Sequence, residues 1–193
     1  VLLAGGTPVI AETSVQTNFK LTADQLEATI TPQTKWFIFN SPSNPTGAGY
    51  NWAEMRALTT VLLRHPHVWV MTDDMYEHLA YGDFKFCTPA QVEPRLYDRT
   101  LTVNGVSKAY AMTGMRLGYI AAPQPLARAI TTIQSHLTSC AGSLSQAAGV
   151  AALMLVKEEE MEANVEIMRK TREYILKELS AMTGITNLIL HRW

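Results

Sequence analysis

Lys108 lies in VNGVSKAYAMTGMR, residues 103–116, among small, apolar and hydroxyl side chains, and the next positive charge along the chain is Arg116. Such surroundings suit a pocket better than open solvent. A lysine has a reference pKa of about 10.4, too high for a free-amine nucleophile at neutral pH; desolvation, a nearby cation or Schiff-base formation lowers it. Arg116 carries a permanent guanidinium, the group that grips a phosphate bidentately. Two other stretches bring polar groups to comparable places. NSPSNPTGAGY, residues 40–50, follows the apolar run WFIFN, and Asn44 offers an amide donor beside the rigid Pro45. In MTDDMYEHL, residues 71–79, Asp73 is the first acidic residue beyond the run VWVMT, and Tyr76 is three positions further on.

Each feature has a plain alternative. Asn-Pro-Thr-Gly is a tight turn by itself, with φ fixed at Pro45 and positive φ open to Gly47. Asp73 reads equally as an N-cap. Asp74, Glu77 and His78 read as facing solvent or structural partners. Together, though, the amide, the carboxylate, the phenol, the amine and the guanidinium follow successive strand-like runs in order, and one ligand wants all five. Pyridoxal phosphate offers an aldehyde for a lysine imine and a ring nitrogen that needs a carboxylate to stay protonated. Its phenolate oxygen accepts from Asn44 and Tyr76, and its phosphate takes Arg116.

SPSNPTG at 41–47, TDDMYEHL at 72–79 and NGVSKAYAMTGMRLGYIAAP at 104–123 resemble the central part of a fold-type I pyridoxal-phosphate aminotransferase of class I, the aspartate aminotransferase-like group. The likeness runs from VLLAGGTPV to Ile185. It implies that Lys108 is the internal-aldimine lysine, Asp73 the partner of the pyridinium nitrogen, and Asn44 and Tyr76 the donors to the ring oxygen. Arg116 matches the phosphate-binding arginine. Ser107 is implied to assist there, Gly105 standing where many relatives have serine and Met115 where they commonly have tryptophan. The implied activity is transamination between an amino acid, aspartate or glutamate, and a 2-oxo acid, with Asp73, Tyr76 and Lys108 catalytic, in a cytoplasmic homodimer. The same scaffold hosts C–S lyases and decarboxylases, and a non-catalytic fragment is the third reading. The resemblance places the phosphate loop, the ring-stacking aromatic and the substrate-carboxylate arginine outside this chain.

The elements that must position these groups are legible. Runs rich in β-branched and aromatic residues recur at 8–13, 36–40, 68–72, 101–105 and 117–123, mostly without polar alternation, as expected of strands covered on both faces. Thr22 with Gln25 and Asn51 with Glu54 are capping-box starts, the second opening a helix that Pro66 closes, and Thr88–Pro89 opens another. Leu126, Ile130, Ile133 and Leu137 form an apolar stripe; SLSQAAGVAALMLV is a small-residue helix; residues 157–182 form a long charged helix. The pattern predicts a three-layer α/β/α sandwich around a mainly parallel sheet, the incomplete large domain of the aspartate aminotransferase-like fold. Residues 1–156 are expected to belong to the large cofactor-binding domain. Residues 157–193 are expected to form a connecting helix and the start of a truncated small C-terminal domain.

Of 193 residues, 47% are hydrophobic and 17% charged, which fits a globular chain. A net charge of -1 gives no footprint for nucleic acid or an acidic membrane. No apolar run reaches the roughly 18 residues of a membrane span. Cys87 and Cys140 form no CxxC pair, and His65 with His67 has no further ligands, so neither a disulfide framework nor a metal site is expected. The missing initiator methionine and the tail TNLILHRW read as cuts through a longer protein.

Overall fold

The computed structural model describes residues 1–185; the tail TNLILHRW from Thr186 lies outside them. Four strands form one sheet in the order β1-β2-β3-β4, with β1 Trp36–Asn40, β2 Trp69–Asp73, β3 Thr100–Gly105 and β4 Gly118–Ala121. β1, β2 and β3 are parallel, whereas β4 returns antiparallel to β3. The α/β fold around a mainly parallel sheet is therefore as expected.

The helices follow their local codes. α1 (Ala23–Thr29) and α2 (Trp52–Arg64) both start on the expected capping boxes, and Asn51 Oδ1 accepts from Glu54 N at 2.9 Å while Glu54 Oε2 accepts from Asn51 N at 2.8 Å. α2 ends at His65, just before Pro66. Arg99, one residue before β3, donates to the terminal carbonyls of Leu62 at 2.6 Å and His65 at 3.1 Å, tying that helix end to the sheet. α3 (Pro89–Val92) is short. Leu26, Met55, Leu58 and Leu62 pack with Phe39, Val70, Val92 and Leu96 into the main core on one face of the sheet. At about 25 cal/mol per Å² of apolar surface removed from water, this cluster is the chief source of stability.

Two expectations are corrected, the strand at 8–13 and the covering of strands on both faces. PVIAET, residues 8–13, forms no strand, and Val9 and Ile10 are 71% and 81% exposed. Extended apolar sequence becomes a strand only when a neighbour completes its ladder, and no strand of the described residues pairs with it. β2 alternates, with Val70 and Thr72 buried and its odd-numbered residues partly exposed, because only one face carries the main core; on the other, Ile38 of β1 is 54% exposed. The stripe on α4 (Gln124–Leu137) does not face a core, for Ile133 and Leu137 are 60% and 74% exposed. α5 (Ser143–Leu155) buries Gly149 and Ala152, and a Cβ at Gly149 would meet Leu117 Cδ2 at 2.3 Å, so helix and lysine loop touch there. α6 (Glu158–Ser180) buries no residue.

Candidate active site

Register fixes where the polar groups emerge. Asn40 lies opposite Asp73, Asp73 opposite Val103, and Gly105 opposite Gly118. The carboxyl ends of three parallel strands and the start of β4 thus meet at one edge, where ligands of such sheets bind.

From β1, the chain turns through 41–49. Asn40 holds that turn: its Oδ1 accepts from Asn44 N at 2.9 Å, and its Nδ2 donates to Asp73 O at 2.9 Å, so one side chain links the ends of β1 and β2. Asn44 Nδ2 then donates to the Tyr76 hydroxyl at 3.1 Å. Asp73 closes β2, and its Oδ1 accepts from Met75 N at 3.2 Å in an Asx turn. Lys108 is half-buried, and its Nζ lies 6.0 Å from the centre of the Tyr76 ring, within reach of a cation–π contact. Asn44, Tyr76 and Lys108 are therefore joined side chain to side chain, with Asp73 held among them through the backbone.

Ser107 and Arg116 share the β3–β4 loop, residues 106–117, with Lys108. Arg116 is exposed, in the left-handed region at φ 50°, and its Nη1 donates to Thr113 O at 3.2 Å. It stands two residues before β4, at the same edge as the other groups. Gly105 is closely packed: a Cβ would lie 2.9 Å from Leu117 O and 3.1 Å from Met75 Cε, so serine there would require the loop to shift. Met115 is exposed, which explains tolerance of a smaller side chain in place of an indole. A cavity of about 410 Å³ borders this loop through Ala109, Tyr110 and Met112, but none of the six candidate residues lines it. Among the described residues no His/Cys/Asp/Glu cluster is suited to a metal ion.

Sequence reasoning missed Asn40, Asn104 and the depth of Asp74. Burial pushes the Asp74 carboxyl up to about 6, the nearby Glu77 and Asp73 adding to the rise while the Thr72 hydroxyl, donating at 2.6 Å, opposes it. Adjacent aspartates at a strand end point to opposite faces, and that alternation was the available signal. The titration has a definite sign. The native state holds its Asp74 proton where the unfolded chain has lost it, so stability falls as pH rises from about 4 to about 6, by on the order of 3 kcal/mol. Asp74→Asn keeps an acceptor for Thr72 and removes the charge. Urea midpoints should show the variant level with the parent at pH 4 and more stable above pH 6; a constant difference across that range would refute the assignment.

The family model for aminotransferase class I and II matches residues 1–191. The chain belongs to the class I and II aminotransferases. Among curated relatives, the aspartate/prephenate aminotransferase of Cereibacter sphaeroides is 58% identical over 186 residues, covering 96% of this chain and 46% of the relative. The aspartate aminotransferase of Rhizobium meliloti is 51% identical over 185 residues, with 96% and 45% covered. The crystal structure of the Rhizobium meliloti aspartate aminotransferase superposes with a TM-score of 0.92 at 49% identity, over 97% of this chain and 47% of that one. An aromatic aminotransferase from Pyrococcus horikoshii gives a TM-score of 0.84 at 36% identity, over 95% and 49%. The chain spans about half the length of these aminotransferases, and its sheet and helices are those of the aspartate aminotransferase fold.

Proposed function

We propose that this chain is the pyridoxal-phosphate-binding part of an aminotransferase that exchanges an amino group between aspartate or glutamate and a 2-oxo acid. One observation carries the reading: the Lys108 amine stands over the Tyr76 ring while Asn44 donates to the Tyr76 hydroxyl. The donor set fits the cofactor, because an amine, a carboxylate and two hydrogen-bonding groups converge on one sheet edge with a guanidinium on the same loop. A relative named aspartate/prephenate aminotransferase supports aspartate and prephenate as the substrates to test first.

When bound, pyridoxal phosphate supplies an electron sink for the charge left at the substrate's α-carbon. The chain's residues do the rest. Lys108 would hold the group through its amine, and the same amine would be the base placed to take the substrate's α-proton and return it. Asp73 would keep a proton on the ring nitrogen by opposing its charge. Tyr76, whose hydroxyl accepts from Asn44, would have its own proton free to donate to the ring oxygen, and Asn44 would fix the phenol's direction. Arg116, with Ser107 beside Lys108, would hold the phosphate.

Finer features belong to the same reading. Exposed Ile133, Leu137, Leu144 and Met154 on α4 and α5 support a homodimer. The absence of buried residues on α6 supports a large domain over 1–156 and a separate small domain beginning in 157–193. Free thiols at Cys87 and Cys140 suit the cytoplasm, and no helix of the described residues is long and apolar enough to cross a membrane.

The test is to add pyridoxal phosphate, reduce with borohydride and map the modified peptide. One adduct on Lys108 is expected; label spread evenly over Lys20, Lys35, Lys85 and Lys157 would reject the reading.

A further inference from the structure

We propose that Asn104 and Glu77 are a positioning couple that holds the Tyr76 phenol against the Lys108 amine. The inference rests on the cofactor reading above and extends it to two residues outside the ligand-contacting set. Parallel pairing delivers Asp73 and the end of β3 side by side, but the β2–β3 register ends at Asp73 opposite Val103, followed by a bond from Asp74 N to Val103 O at 2.9 Å. Beyond it, the turn 74–79 carrying the phenol and the loop 106–117 carrying the amine leave the ladder, and strand pairing no longer sets the gap between them.

Asn104 crosses that gap. Its Nδ2 donates to Glu77 Oε1 at 2.6 Å, and its Oδ1 accepts from Gly105 N at 2.7 Å. A single side chain, 7% exposed, therefore grips the residue after Tyr76 and the last residue of β3 before the lysine loop. A hydrogen bond to a carboxylate is stronger than one between neutral groups. Glu77 is held from two further sides: its N donates to Asp74 O at 3.0 Å, and His78 Nε2 lies 3.3 Å from the same Oε1. Burial alone would raise the Glu77 carboxyl, but the His78 ring and the Asn104 amide outweigh it and leave it below its ordinary range. Close packing around Gly105, with Met75 Cε 3.1 Å from the place a Cβ would take, stops the two segments from coming closer, while this bond opposes their separation.

Hydrogen exchange of the cofactor-free protein reads the couple directly. Asn104→Ala and Glu77→Ala should each speed amide exchange in the peptide spanning 74–79 by about tenfold while distant peptides stay unchanged. Both should weaken pyridoxal-phosphate binding, read by absorbance, by about tenfold or more, since a misplacement of an ångström at such a site is costly. Glu77→Gln keeps an oxygen that accepts from Asn104, through a weaker neutral bond, and should fall between the parent and Glu77→Ala in both measurements. Glu77 is 27% exposed, so its variants carry the test if Asn104→Ala does not fold. Parent-like exchange in both alanine variants overturns the couple, as does a Glu77→Gln variant as loose as Glu77→Ala. If the parent protein does not take up the cofactor while the alanine variants loosen the turn, the cofactor reading falls and the couple stands. If it binds and the variants exchange like the parent, the couple alone falls.

Discussion

Lys108→Ala is expected to abolish the borohydride-stable adduct, leaving a protein whose mass is unchanged by pyridoxal phosphate and reductant. A borohydride-stable adduct needs an imine and therefore an amine, and Lys108 is the one brought over Tyr76, with Nζ 6.0 Å from the ring centre. The same variant should lower transamination by roughly 10⁴-fold or more, the scale seen when a covalent catalyst that also moves protons is removed. Stability should hardly change. The cation–π attraction removed with the amine is worth about 0.5–1 kcal/mol at a partly exposed site, and Lys108 is no part of the core. Mass spectrometry and a thermal melt together decide the matter. An adduct that survives in Lys108→Ala would move the reactive amine elsewhere; a collapsed melting curve would make Lys108 a structural residue.

Asp73→Asn is expected to leave the adduct intact while reducing turnover on the order of 10²- to 10³-fold, the range for removing one preorganised electrostatic partner. The isosteric amide keeps an oxygen for Met75 N, which donates to Asp73 Oδ1 at 3.2 Å, so the turn leading to Tyr76 should hold its shape. What the amide lacks is the negative charge that keeps a proton on a ring nitrogen. The variant's bound cofactor should therefore lose that proton at lower pH than the parent's, an absorbance change measurable without turnover. Equal turnover and an equal absorbance profile would remove Asp73 from the role.

Local codes made much of this legible in the sequence. The capping boxes at Thr22 and Asn51 formed as written because every atom involved lies within one turn. WFIFN coincides with β1, while VWVMT and LTVNG differ by a residue at the ends of β2 and β3. What failed was non-local. PVIAET has the composition of a strand but no partner among the described residues, and a helical stripe such as Leu126–Leu137 announces an apolar face without saying what covers it. At the site, Asn44, Asp73, Tyr76 and Lys108 could be singled out because their types suit one ligand. Asn40 and Asn104 escaped because their partners are set by register: Asn104 meets Glu77 across 27 positions of chain. Nothing in an asparagine at a strand end tells which neighbour it will hold until the strands are aligned.

The antiparallel return of β4 has one more consequence. Lys108 and Arg116 hang on a single loop whose feet, Gly105 and Gly118, are fastened to each other. The two cations behave like the jaws of a caliper: the hinge is shut at the base, so the opening is set by the arc between the feet and by α5, whose Gly149 lies against Leu117 on that arc.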